Sequence, residues 1–213
     1  MQNPPCQLYL ISPQDVSGDF SQQLEAALSA GPVAAFQFRV KNIEQHEAAR
    51  LAAPLQEICT AHDCAFIVND SVALAKRLRA DGLHLGQSDG DLADAREELG
   101  PDVQIGVTCH NSRHFAMEAG EAGADYVAFG AFYPTQTKQV EHVAEIETLR
   151  QWAQIMEVPC VAIGGITPDN AKPLIAAGAD FIAVSGAVWN HADGPATAVK
   201  AFDAALAENN TPR

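Results

Sequence analysis

Thr135, Thr137 and Lys138 stand together in the stretch PTQTK, just after the apolar run at 126–129. Two hydroxyls, nearby backbone N–H groups and an ammonium suit an anion such as a phosphate ester. Arg39 and Lys41 follow another apolar run, and a guanidinium with an ammonium can hold several phosphate oxygens. Asp70 and Asp89 supply carboxylates in similar places. Two carboxylates, completed by water and phosphate oxygens, are a common way to hold Mg²⁺. In one cleft these groups would point to a metal-bound pyrophosphate that departs, because Mg²⁺ and lysines stabilise the leaving charge. Each also has a plainer role: a surface pair for Arg39 and Lys41, helix caps for Asp70 and Asp89.

Short apolar runs suited to strands occur at Gln7–Ile11, 33–38, 65–68, 83–85, 103–107, 126–129, Cys160–Ile163 and Phe181–Val184. Helical spacing of apolar residues fills 19–30, 44–61, 71–79, 91–99, 112–119, 145–156, 167–177 and 195–207. Pro54 predicts a kink or break in the second helix, and Ser71 and Thr167 are expected N-caps. The runs are apolar throughout, as parallel strands buried on both faces should be. Strict strand–helix alternation predicts an α/β chain, and eight units in this length favour a (β/α)₈ barrel over an open sheet.

An internal echo supports repeated βα units. Residues 121–131 read EAGADYVAFGA, residues 176–187 read AAGADFIAVSGA, and 79–86 read RADGLHLG. Each has a small-residue helix end, an Asp and a strand that stops at glycine. With no linker visible, one TIM-barrel domain over 1–213 is expected, with a polar tail from about 208.

In such barrels the site lies at the carboxyl ends of the strands. There the sequence places Gln37, Arg39 and Lys41; Asn69 and Asp70; Gln87, Ser88 and Asp89; Thr108, His110 and Asn111; Thr135, Thr137 and Lys138; Gly164 and Gly165; Ser185 and Gly186. The last two groups suit a second anion site of backbone N–H groups and a short helix N-terminus, although glycines also serve tight turns. Two phosphate sites on one cleft suggest two phosphorylated substrates. His84 falls inside a strand pattern and reads as structural; the other histidines read as surface, with His110 nearer the site. No nucleophile–base arrangement is evident.

The formal charge is −14 over 213 residues, which disfavours nucleic acid and anionic membrane as partners. A small anionic substrate needs only local cations. The five cysteines lack zinc-like spacing and read as reduced, buried thiols, which predicts a cytoplasmic protein. No signal peptide or membrane span is expected. A homodimer is admitted, with no residue pattern to specify it.

Six ordered motifs resemble one family: QFRVK (37–41), VND (68–70), HLGQSD (84–89), GVTCHN (106–111), FYPTQTK (132–138) and AIGGI (162–166). The chain resembles thiamine-phosphate synthases over nearly its whole length. The resemblance implies a (β/α)₈ barrel that joins a hydroxymethylpyrimidine diphosphate to a thiazole phosphate with release of pyrophosphate. It implies a dissociative, Mg²⁺-assisted reaction without a protein nucleophile. By position, Arg39, Lys41, Asn69 and Lys138 would contact pyrophosphate, Lys138, Arg39 and Lys41 serving catalysis. Asp70 and Asp89 would ligate Mg²⁺, and Gln37 would help hold the pyrimidine. Thr135, Thr137, Gly165 and Gly186 would hold the thiazole phosphate.

The chain departs from the family pattern in three places. Thr108 stands for a usual serine and keeps its hydroxyl. Gly186 stands where a serine is common, so Ser185 becomes the candidate to replace that hydroxyl. Ala131 stands where proline is frequent. The related thiazole tautomerase has a catalytic His near the position of Ala131, which cannot do acid–base chemistry. That ranks a tautomerase second and a non-catalytic binder of a thiamine precursor third.

Overall fold

The computed structural model describes residues 5–87, 89–135 and 142–209. Strands β1 (Gln7–Ile11), β2 (Ala35–Phe38), β3 (Ala65–Asn69), β4 (Gly82–Leu85), β5 (Gln104–His110), β6 (Tyr126–Gly130), β7 (Cys160–Ile163) and β8 (Phe181–Val184) form a closed barrel. Every neighbouring pair is parallel, and β8 closes on β1 with Leu8 opposite Ile182. Helices α1 (Phe20–Leu28), α2 (Gln45–Ala61), α3 (Val72–Leu78), α4 (Leu92–Leu99), α5 (Arg113–Glu121), α6 (Ile146–Ile155) and α7 (Lys172–Ala177) follow the first seven strands. Short α8 (Gly186–Trp189) and long α9 (Pro195–Asn209) follow β8. The expected (β/α)₈ barrel is therefore present.

Alternation along the strands splits the core in two. Leu8, Phe36, Phe66, Leu83, Ile105, Val127, Cys160 and Ile182 pack outward against the helices. Tyr9, Ile11, Ala35, Ile67, Tyr126, Ala128, Val161 and Ala183 form a second cluster inside the barrel. Two glycines make room there. A Cβ on Gly106 would lie 2.0 Å from the Tyr126 ring, and one on Gly82 would lie 2.5 Å from Ile67 Cδ1.

Several local expectations change. Helix α2 runs unbroken through Pro54, so the expected break is absent. One proline removes a single N–H, and the buried face of Ala52, Leu55 and Cys59 holds the helix on both sides of it. Thr167 does not cap α7; Asn170 Oδ1 instead accepts from the Thr167 N–H, and the helix starts only at Lys172. Strand β5 extends to His110 through a register shift between Thr108 and His110. Helix α9 continues past the expected start of the tail, to Asn209.

The echoed aspartates fasten the amino-terminal rim. Asp81 N–H donates to Phe66 O (3.1 Å), and Asp81 Oδ2 accepts from Phe66 N–H (2.7 Å). Asp125 does the same with Ile105 (2.8 and 2.7 Å), and Asp180 with Cys160 (3.0 and 2.8 Å). Arg96 reinforces one clasp, donating to Asp125 Oδ2 at 2.5 Å and to Val103 O at 2.6 Å. In the first repeat Ala34 stands in the aspartate's place and keeps only the backbone bond, to Leu8 O at 2.9 Å.

Candidate active site at the carboxyl ends of the strands

The end of β1 positions the cations that follow β2. Buried Ser12 accepts the Arg39 N–H through its hydroxyl at 2.9 Å. Gln14 grips the Lys41 backbone from both sides, accepting its N–H at 3.2 Å and donating to its carbonyl at 2.6 Å. Lys41 Nζ then reaches Asp70 Oδ2 at 3.0 Å.

Neither candidate carboxylate is a helix cap. Ser71 caps α3 by accepting the Leu74 N–H at 3.2 Å. Asp70 is held instead in a left-handed conformation (φ 63°), its N–H donating to His84 O at 2.8 Å. Helix α4 is capped by Asp91, whose carboxylate accepts from Ala93 and Asp94 N–H. Asp89 is exposed, and its Oδ2 lies only 2.2 Å from where a Gly86 Cβ would stand. Asn69 ends β3 opposite His84.

A chain of buried hydrogen bonds crosses the barrel interior below these groups. Gln37 Nε2 donates to Tyr9 Oη at 2.9 Å, and Tyr9 Oη lies 3.0 Å from Tyr126 Oη. Tyr126 Oη is 3.1 Å from His84 Nδ1, and His84 Nε2 is 2.8 Å from Thr108 Oγ1. Burial pushes the His84 pKa down from 6.5 to about 4, with Asp70 opposing and Arg39 reinforcing the shift. Burial also raises Tyr9 to about 12 and Tyr126 well above the usual phenol value. The chain is thus neutral near pH 7. His84, read as structural, is a member of this polar floor. Thr108 also lines an open cavity of about 370 Å³ with Gln87, Val107 and Phe115.

On the far side, the loop after β6 lies on the glycines after β7. Phe132 N–H donates to Ile163 O at 3.1 Å, and Tyr133 N–H to Gly164 O at 3.0 Å. Gly165 has φ +64°, and a Cβ there would lie 2.3 Å from Pro134 O. Only glycine fits this approach. Asn170 fixes the turn by donating to Gly165 O at 3.0 Å, and its own carbonyl accepts from Tyr133 Oη at 2.8 Å. Thr135 follows this anchored segment, half-buried. Thr137, Lys138 and Ser88 lie outside the described residues.

After β8, Gly186 opens α8, and Trp189 pins that helix by donating to Ile11 O at 2.6 Å. Ser185 Oγ donates to Ser12 O at 3.4 Å, so its hydroxyl has a partner within the protein.

All five cysteines are free and buried. Cys109, next to the candidate site, packs in the outer core, and burial raises its thiol to about 12. That removes it from nucleophilic roles. His110 stays outside the interior chain, its ring 5.0 Å from that of His142. Ser12, Gln14, Tyr9 and Tyr126 are site-supporting residues that the sequence reading missed. The usable signal was parity: Tyr9 and Tyr126 share the inward face with Gln37, His84 and Thr108.

The family model for thiamine monophosphate synthase matches residues 8–188. A thiamine-phosphate synthase of Erythrobacter litoralis is 69% identical over 190 residues, covering 87% of this chain and 89% of that protein. A thiamine-phosphate synthase of Rhodospirillum centenum is 52% identical over 199 residues, covering 93% and 96%. The structure of a thiamine phosphate pyrophosphorylase from Pyrococcus furiosus superposes with a TM-score of 0.86 at 32% identity, covering 96% of this chain and 97% of that one. Sequence and fold agree over almost the full length, and the chain belongs to the thiamine monophosphate synthase family, as a transferase enzyme.

Proposed function

We propose that this barrel joins a hydroxymethylpyrimidine diphosphate to a thiazole phosphate, giving thiamine phosphate and pyrophosphate. The Lys41–Asp70 pair carries the reading, because an ammonium suited to phosphate lies beside a carboxylate suited to a metal at the carboxyl ends of the strands. In this reading the bond from the pyrimidine methylene to the diphosphate oxygen breaks first, and its electrons leave with pyrophosphate. The thiazole nitrogen then donates its lone pair to the methylene cation. Arg39, Lys41, Asn69 and Lys138 hold the pyrophosphate and stabilise its charge. Gln37 and Thr108 hold the pyrimidine substrate. Thr135, Thr137 and the backbone at Gly165, Ser185 and Gly186 hold the thiazole phosphate, which fixes the distance between the reacting rings.

The donor chemistry fits Mg²⁺. Asp70 and Asp89 follow adjacent strands, and Asp89 sits in a cradle that a side chain at Gly86 would fill. Among the described residues no group of three or more acidic, His or Cys side chains could hold a metal. Two carboxylates would therefore share the ion with water and phosphate oxygens. When bound, the ion would neutralise charge on the departing pyrophosphate. The five free thiols support a cytoplasmic setting.

The test is pyrophosphate release with both substrates and Mg²⁺. Release only when both are supplied, stopped by EDTA, is expected. Full activity after metal removal would exclude Asp70 and Asp89 as essential ligands. Absence of turnover with retained binding would favour a precursor-binding protein, and isomerisation of a thiazole precursor would favour a tautomerase.

A further inference from the structure

The five polar groups inside the barrel have a direction. Gln37 presents its amide nitrogen to Tyr9, so the Tyr9 oxygen accepts there and its hydrogen must go elsewhere. The neighbour at 3.0 Å is Tyr126 Oη, which therefore accepts from Tyr9. The Tyr126 hydrogen then goes to His84 Nδ1. With Nδ1 accepting, the ring carries its single hydrogen on Nε2 and donates it to Thr108. A cationic His84 would donate from both nitrogens. Tyr126 would then have to give its hydrogen back toward Tyr9, leaving one buried hydroxyl hydrogen without an acceptor. Counting donors thus selects the neutral ring and one tautomer.

We infer that Tyr126 is a positioning residue that, through His84, fixes Thr108 as a hydrogen-bond donor toward substrate at the carboxyl ends of the strands. Thr108 accepts from His84 inside the barrel, and its own hydrogen is left for a substrate at the carboxyl ends of the strands. The substrate must present a lone pair there: a phosphoryl oxygen or an unprotonated ring nitrogen, not an N–H. This deepens the proposed function and rests on it only for the identity of that substrate. The hydrogen-bond direction belongs to the free protein. Gly106 is part of the device, because only the absence of a Cβ lets the Tyr126 ring lie where its hydroxyl meets both Tyr9 and His84.

The direction can be read by imidazole nitrogen NMR on the full chain without substrate. Neutral His84 protonated at Nε2 is expected near pH 8; protonation at Nδ1 would overturn the inference. Gln37→Glu replaces the terminal donor by an acceptor of the same shape and should reverse the chain, moving the His84 hydrogen to Nδ1. In the Tyr126→Phe background the chain is cut, so the same Glu should leave it on Nε2. A tautomer indifferent to Gln37→Glu with Tyr126 present would refute the relay. In turnover, Tyr126→Phe should lower kcat about fivefold in the parent and under about twofold in a Thr108→Val background. Equal losses in both backgrounds would mean that Tyr126 does not act through Thr108. Absence of turnover in every form would count against the proposed function, while the tautomer readings would still decide the hydrogen-bond direction.

Discussion

The Lys41 ammonium lies 3.0 Å from the Asp70 carboxylate, so the cation assigned to pyrophosphate rests on the acid assigned to the metal. The pair is partly exposed, 42% for Lys41 and 25% for Asp70, and such pairs add little to stability. The pair holds both groups at one spot at the carboxyl ends of the strands. Lys41→Ala should leave the unfolding midpoint nearly unchanged and lower turnover by about 10–100-fold. Asp70→Asn should raise the Mg²⁺ needed for half-maximal rate by about tenfold or more. Rate against Mg²⁺ concentration checks both, and a parental curve for either variant would remove that residue from the site.

His84 predicts an acid-sensitive fold. Its pKa is about 4 in the folded chain and 6.5 ordinarily, so between those values the unfolded chain binds a proton that the folded one does not. The stabilisation is complete above about pH 6.5 and is lost as pH falls toward 4, amounting to roughly 3 kcal/mol. His84→Gln should flatten this acid limb in urea unfolding measured from pH 7 to 4. An acid limb of the same slope in the variant would assign the loss to other groups.

Gly106→Ala should be severe for its size. The added methyl would stand 2.0 Å from the Tyr126 ring, in a fully packed interior. Overpacking of this kind costs about 1–3 kcal/mol. It should also displace the Tyr126 hydroxyl, so turnover should fall further than Tyr126→Phe alone explains. Chemical unfolding with steady-state kinetics reads both effects, and a stable, fully active variant would contradict the packing.

Asp125→Ala tests the opposite rim. It removes the acceptor for the Ile105 N–H and leaves Arg96 without its carboxylate. A loss of about 2–4 kcal/mol is expected, with little change in kcat at temperatures where the protein stays folded. A large change in kcat together with unaltered stability would reverse the assignment of that rim.

The barrel was legible because each strand is a short apolar run ended by glycine or polar residues, and the echoed Asp marks three of the strand starts. The candidate end was marked in the same way: Arg39, Lys41 and Asp70 follow closely on apolar runs, and Asp89 stands in the polar stretch after β4. The support beneath it was not. Tyr9 and Tyr126 count as core residues in any apolar run, and their hydroxyls gain meaning only once the barrel closes and β1 faces β6 across the interior. The caps illustrate the local limit. Ser71 acted as the sequence suggested, α4 is capped by Asp91 where Asp89 was the expected alternative, and Thr167 opens only a turn, with Asn170 and Ala171 N–H on its carbonyl, before the helix starts at Lys172. Pro54 failed to break α2 because tertiary packing on Ala52, Leu55 and Cys59 outweighs one missing backbone bond.

The clasps made by Asp81, Asp125 and Asp180 tie β3 to β4, β5 to β6 and β7 to β8, each within its own pair. Three of the four two-strand pairs in the ring are therefore clasped, β1–β2 lacking the carboxylate, with seams between β2 and β3, β4 and β5, β6 and β7, and β8 and β1. Cutting or recombining the chain at a seam spares every clasp; cutting inside a clasped pair sacrifices one. Shuffling segments among related barrels should respect that grain.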